Sequence, residues 1–118
     1  LIPNMIDNIK YGKEITLAKG KGPLFSPIFV SDVVNIIDSI INETRNESIL
    51  CNICGDERLY LKDIVEIISN KLKISTNIKT NSNKVINFSG DNTRLHELIP
   101  NLNLTNFAKG IDKVLNKI

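Results

Sequence analysis

Few stretches of this chain set reactive side chains at a spacing that chemistry can use. Asp32 ends the run "SPIFVSD", where a helical pattern begins at once. A carboxylate there either caps the helix, accepting backbone N–H groups at the positive end of the dipole, or serves as a catalytic acid. A catalytic acid would need a His or Lys beside it in sequence, and neither is there. The expectation is a cap, supplied by Ser31 or Asp32. Lys19-Gly20-Lys21-Gly22 offers backbone N–H groups and two ammonium charges to a phosphate. Pro23 follows directly, however, and it is a helix N-terminus that gives such loops their grip on anions. The phosphate-loop patterns G-x-x-x-x-G-K-[ST] and G-x-G-x-x-G are both absent, so a solvated turn is expected.

Gly90-Asp91-Asn92-Thr93-Arg94 joins an expected strand to an expected helix, with Asp91 or Asn92 as its cap. Arg94 is either a surface residue or a bidentate clamp for an anion. His96, the single His, has no second His, no Cys cluster and no nucleophile motif near it, and reads as structural or solvated. Cys51 and Cys54 form one C-x-x-C, half of a typical zinc site. A redox pair would open a helix. This one lies in "SILCNICG", which reads as a buried strand, so small apolar core residues are expected and no metal. The N-x-S/T sequences at Asn42, Asn46, Asn87 and Asn103 carry little weight without a secretion signal.

The elements that must position these groups follow from periodicity. Ile2, Met5, Ile6 and Ile9 repeat as one helix face, closed by Gly12. "EITLA" alternates, with Ile15 and Leu17 on one face. Ile28 to Val30 is a brief extended segment. The next helix has Val33, Ile37, Ile40 and Ile41 as its face, widened by Val34 and Ile36. "NETRNE" is a polar loop, "SILCNI" a buried strand and "CGDE" a turn. Leu61, Ile64, Val65, Ile68 and Leu72 mark another helix, "TNSN" a loop and "KVINF" a strand. A short helix carries Leu95, Leu98 and Ile99 and is stopped by Pro100. Thr105 caps a last helix bearing Phe107, Ile111, Val114, Leu115 and Ile118. The sum is a mixed α/β domain over residues 1–118, largely helical with short strands and no complete nucleotide-binding βαβαβ half.

Composition narrows the classes. A chain of 118 residues, 42% apolar and 24% charged, suits one ordinary globular domain. A net charge of +2 and a pI near 8.6 give no basic stripe for nucleic acid, and 5% aromatic residues leave no base-stacking platform. No apolar run approaches the ~18 residues that span a bilayer, and no secretory signal opens the chain. The expectation is a cytoplasmic protein with no nucleic-acid or membrane partner. The start at Leu1, without Met and already inside a helix, suggests part of something longer.

The order of these pieces resembles the C-terminal portion of the NAD-dependent epimerase/dehydratase family, the extended short-chain dehydrogenases that act on nucleotide sugars. The resemblance runs through "LIPNMIDNIKYGKEITLAKGKG", "FVSDVV", "ILCNICGDERLYLKDIVEII" and "SGDNTRLHELIPNLNLTNFAKGIDKVL". Val30-Ser31-Asp32-Val33 matches the family's V-x-D-v block, where the acid starts a helix. Cys51 to Gly55 matches its y-N-i-g strand, Gly90-Asp91 its late g-D, and Asn106 to Ile111 its final cap and helix. The family's G-x-x-G-x-x-G loop and Tyr-x-x-x-Lys pair are absent, since Ile15 and Ile64 stand four residues after Tyr11 and Tyr60.

The resemblance therefore implies a substrate-binding portion without the Rossmann core. It would have no catalytic residue and no cofactor of its own, and would hold a nucleotide sugar for a full-length enzyme that uses NAD or NADP. It also implies an N-terminal Rossmann domain as partner and allows a homodimer of the full-length form. The implied substrate contacts are Pro3, Thr16, Leu17 and Arg94. Phe25 and Phe88 occupy two positions where many members carry a diphosphate-gripping Arg, which leaves Arg94, Lys19 or Lys21 as substitutes. Tyr60 stands where the family has a Ser or Thr cap, so a frayed helix start is expected. The rival expectations are a binding or regulatory domain that keeps this architecture, and an interaction domain with an exposed apolar helix face.

Overall fold

A computed structural model describes residues 1–43 and 48–117. Thr44 to Glu47 of the expected polar loop "NETRNE", and Ile118 of the expected last helix, lie outside the described residues. The elements run α1 (Ile2–Lys10), β1 (Glu14–Ala18), β2 (Leu24–Phe25), α2 (Val30–Asn42), β3 (Leu59–Tyr60), α3 (Leu61–Leu72), β4 (Asn77–Asn81), α4 (Thr93–Leu98) and α5 (Phe107–Leu115). This is the expected mixed α/β class, helical with short strands. The chain folds into two compact units, one of residues 1–25 and 59–88, the other of residues 26–58 and 89–118.

In the first unit, Met5, Ile6 and Ile9 of α1, Ile15 and Leu17 of β1, and Ile64, Val65 and Ile68 of α3 are buried. These are the stripes that the spacing marks out. Gly12 follows α1 in the left-handed region, with φ 65°, and its N–H reaches the Ile9 carbonyl at 3.2 Å, as a residue just past a helix end does. β1 pairs in parallel with β4, Ile15 opposite Ile78. The strand expected over "KVINF" is not formed. Phe88 makes only an isolated bridge to Phe25, and the pairing strand is Asn77–Asn81, partly where a loop is expected. "NIKTN" has one large apolar residue and is mostly exposed. Backbone pairing along β1 holds it, with Lys79 of β4 3.9 Å from Glu14 of β1.

The glycine turn before β2 has a structural task. The Lys19, Gly20 and Gly22 N–H groups are bonded to the Asn81, Leu17 and Ala18 carbonyls. The Lys21 and Pro23 carbonyls accept from Lys62 and Leu61, the first N–H groups of α3. Asp63 accepts from the Tyr60 N–H at 2.8 Å. The expected fraying at Tyr60 is therefore absent, because the turn and Asp63 satisfy the groups that a Ser or Thr cap would have served.

In the second unit, α2 starts at Val30 with Phe29 as N-cap and no side-chain cap bond. Neither Ser31 nor Asp32 caps it. Asp32 sits inside the first turn, buried, and accepts the Thr105 N–H at 2.8 Å and the Thr105 hydroxyl at 3.1 Å. Its role is structural, but it ties α2 to the segment before α5 rather than closing its own helix. Thr105 is thus occupied, and Asn106 caps α5 by accepting from Lys109 at 2.8 Å. The face of α2 also differs from expectation: Ile36 is fully buried, while Val34, Ile37 and Ile41 are exposed. "SILCNI" lies in no strand. An apolar run of that kind is a strand only when neighbouring strands pair with it, and none among the described residues does.

Candidate functional site

The second unit holds a polar cavity of about 440 Å³ lined by Gly55, Asp56, Arg58, Ser89, Gly90, Asp91 and Asn92. Two loops make it, and buried Ser26 holds both. The Gly55 N–H donates to the Ser26 carbonyl at 3.3 Å, and the Gly90 N–H donates to the Ser26 hydroxyl at 3.1 Å. The loops are also joined directly. Asn52 Nδ2 donates to the Asp91 carbonyl at 3.0 Å, and Asn92 Nδ2 donates to the Cys54 carbonyl at 3.2 Å. A Cβ on Gly90 would lie 3.0 Å from Cys54 Sγ, so the two sides of this seam touch through small residues.

The lining carries one cation and two carboxylates. Arg58 Nη2 donates to the Ser89 hydroxyl at 3.1 Å, which uses one of five guanidinium donors. Asp56 Oδ1 lies 2.7 Å from His96 Nε2 and 2.7 Å from Asn92 Nδ2. An ionised carboxylate only accepts, so Nε2 carries the hydrogen. These bonds, His96 first and then Asn92, hold the Asp56 carboxyl below its ordinary range. Asp91 Oδ1 accepts from the Thr93 N–H at 2.9 Å and the Thr93 hydroxyl at 2.6 Å, which lowers its carboxyl too. Burial pushes the Cys54 thiol up, and the negative charges of Asp91 and Asp56 push it further. Both effects favour the neutral thiol over the thiolate. Among the described residues no cluster of His, Cys, Asp and Glu is arranged to hold a metal ion.

The Asp56 bonds have a pH consequence. A carboxyl lowered by folding stabilises the fold above its unfolded value, near 4, and that share is lost as pH falls through the lower folded value. Parent and Asp56→Asn should therefore differ in unfolding free energy by a constant amount at neutral pH. The difference should shrink below about pH 4. At this exposure it is a few tenths of a kcal/mol. Urea titrations from pH 7 to 3 measure it, and a difference that does not change with pH contradicts the assignment.

The residues implied by the resemblance fall in different units. Pro3 is exposed in the first turn of α1, and Thr16 is exposed on β1, paired with Lys79. Leu17 is buried in the first unit's core, and its carbonyl accepts from the Gly20 N–H at 3.2 Å, so the structure does not open it to a ligand. Arg94 belongs to the second unit, on α4, and lies 3.4 Å from Glu97 as an exposed pair. It does not line the cavity, whereas Arg58 does. Arg58, Asp56 and Ser26 do not stand out in the sequence; the turn "CGDER" is the one signal for Asp56 and Arg58, and Ser26 has none. Phe25 and Phe88 stack with ring centroids 5.8 Å apart and an interplanar angle of 10°. No dinucleotide loop is present among the described residues. The Lys19 to Gly22 turn, the nearest in composition, gives the N–H groups of Lys19, Gly20 and Gly22 to the Asn81, Leu17 and Ala18 carbonyls, and so does not present the row of N–H groups that cradles a pyrophosphate.

No protein-family model and no curated protein matches the sequence. Solved structures do match the fold. The dTDP-glucose 4,6-dehydratase of Bacillus anthracis str. Ames, in complex with NAD, superposes with TM-score 0.81 at 20% identity, over 98% of this chain and 37% of that one. The enzyme WbmG of Bordetella bronchiseptica, in complex with NAD and UDP, gives 0.77 at 16% identity, over 98% and 36%. The UDP-glucuronic acid 4-epimerase of Bacillus cereus, in complex with NAD, gives 0.74 at 14% identity, over 92% and 33%. At these identities the likeness establishes the fold. The chain has the fold of one portion of these enzymes and spans 33–37% of their length. Among the described residues no helix is long and apolar enough to cross a membrane.

Proposed function

We propose that residues 1–118 are the substrate-binding part of an NAD(P)-dependent enzyme that modifies nucleotide sugars, whether epimerase, dehydratase or reductase. It works with a cofactor-binding Rossmann portion that these residues do not include. The observation that carries this reading is coverage: 98% of the chain superposes on little more than a third of such an enzyme. The cofactor, bound elsewhere, supplies hydride transfer. The task of this chain is to hold and orient the substrate. In the cavity, Arg58 offers free guanidinium donors to a phosphate oxygen, and Asp56 and Asp91 offer acceptors to hydroxyl groups. Pro3 and Thr16 are the proposed contacts in the first unit, with Arg94 a secondary cation.

A second reading has an observation of its own. The Phe25–Phe88 stack fills the two positions where the resemblance implies arginines. It favours a binding or regulatory domain that keeps the architecture and has given up the standard diphosphate clamp.

Calorimetry with UDP separates the two. Arg58→Ala is expected to weaken UDP about tenfold, at the low end of what hydrogen bonds to charged groups contribute. Arg94→Ala should weaken it less, because that side chain is exposed and already beside Glu97. Unchanged affinity in both variants would remove the clamp and leave the second reading.

A further inference from the structure

The cavity of the second unit spends side-chain donors on itself and leaves side-chain acceptors open. Arg58, Ser89 and Asn92 are the lining side chains that can donate. Both hydrogens of the Asn92 amide are taken, one by the Cys54 carbonyl at 3.2 Å and one by Asp56 Oδ1 at 2.7 Å. The acceptors differ. Asp56 receives His96 and Asn92 on Oδ1, and Asp91 receives the Thr93 N–H and hydroxyl on Oδ1. Among the described residues nothing donates to Oδ2 of either carboxylate or to the Asn92 amide oxygen. These open oxygens share the lining with the Arg58 guanidinium and the Ser89 hydroxyl.

Charge narrows the ligand further. Both carboxyls sit below their ordinary range and are ionised at neutral pH, so the lining sets two negative charges against the one positive charge of Arg58. His96, which bonds Asp56, is outside the lining and is charged only when protonated. A uronic acid would add a third negative charge. A neutral sugar brings hydroxyl donors but leaves the excess charge in place. An ammonium brings three donors, no acceptor and a positive charge. A divalent cation is a poorer fit. Calcium takes about six to eight oxygen ligands, and among the described residues no group of His, Cys, Asp and Glu is arranged for a metal. The volume of about 440 Å³ is within the ~300–1,000 Å³ of small-molecule sites.

We propose that the cavity takes an amino sugar, with the ammonium on the open carboxylate oxygens of Asp56 and Asp91 and a phosphate oxygen on Arg58. The two carboxylates then select the charge of the substrate. This rests on the functional reading above and narrows its nucleotide sugar to one that carries a primary amine.

Calorimetry of the chain with UDP, UDP-glucose, UDP-glucosamine, UDP-N-acetylglucosamine and UDP-glucuronic acid tests it. The titrations contain EDTA and are run at about pH 6, where a primary amine is protonated. One pH and one salt concentration keep the state of His96 and the screening common to all of them. UDP-glucosamine should bind about fivefold tighter than UDP-glucose, the upper end of what exposed ion pairs supply. UDP-N-acetylglucosamine, whose nitrogen is uncharged, should show no such gain, and UDP-glucuronic acid should bind more weakly than UDP-glucose. In Asp56→Asn and Asp91→Asn the amide oxygen can still accept the bonds now made to Oδ1. The ratio of UDP-glucosamine to UDP-glucose affinity should fall toward one in each, whatever the separate affinities do. Arg58→Ala should weaken every ligand and keep the ratio. A ratio of one in the parent overturns the proposal, as does an equal gain with UDP-N-acetylglucosamine or a ratio that survives the double Asn variant. UDP heat without discrimination among the sugars removes this inference and keeps the functional reading; no heat with UDP or any of its sugars removes both.

Discussion

Gly55→Ala is expected to destabilise the fold by about 3 kcal/mol, the upper part of the range for forcing atoms into packed space. Gly55 is buried, and a Cβ there would fall on the Pro27 carbonyl oxygen and 3.0 Å from the Pro27 carbonyl carbon. Both atoms are backbone, so no side chain can swing aside, and the loop must retreat. Retreat breaks the bond from Gly55 N–H to the Ser26 carbonyl. It also moves Ser26, whose hydroxyl holds the Gly90 N–H, so both walls of the cavity shift together. Gly12→Ala is the control. Its backbone is left-handed, but nothing lies within 4 Å of the added carbon, and the cost there is about 1 kcal/mol. Urea unfolding of both variants reads the contrast. A Gly55→Ala loss no larger than that of Gly12→Ala would mean the seam is not tight.

Asp32→Ala is expected to cost about 2–3 kcal/mol, well above the ~1 kcal/mol of a lost helix cap. The substitution removes the acceptor of both the Thr105 N–H and the Thr105 hydroxyl and leaves two donors without a partner in a part-buried place. Thr105→Val removes only the hydroxyl donor and should cost about 1 kcal/mol. The double variant should cost less than the sum, by about 0.5 kcal/mol or more, as residues in direct contact do. Additive losses, or an Asp32→Ala variant within about 0.5 kcal/mol of the parent, would contradict the tie between α2 and the segment before α5.

Helices are legible in the sequence because burial repeats with their period. Ile64, Val65 and Ile68 are buried as their spacing requires. Strands are not, because a strand needs a partner that no local pattern names. "NIKTN" pairs with β1 despite one large apolar side chain, while "SILCNI", the best strand by composition, pairs with nothing among the described residues. α2 misleads for a related reason: it is apolar on two sides, and periodicity cannot say which side faces the core. Asp32 reads as structural from the sequence, but its partner Thr105 is 73 residues away, a separation that capping rules do not consider. The cavity is only half legible. Gly90-Asp91-Asn92 stands out in the sequence at an expected strand-to-helix junction and draws attention to Arg94 with it. Arg58 comes to the cavity because Gly55 docks on Pro27, a close approach visible only in three dimensions.

If this chain holds a nucleotide-sugar substrate while the dinucleotide is held elsewhere, the two ligands should separate cleanly in solution. The decisive experiment is a pair of calorimetric titrations of residues 1–118, with UDP and with NADH, side by side at one salt concentration. The expected result is saturable heat for UDP that weakens in Arg58→Ala, and none for NADH. One NADH bound per chain with a micromolar dissociation constant, or UDP heat that is absent or indifferent to Arg58, would contradict it.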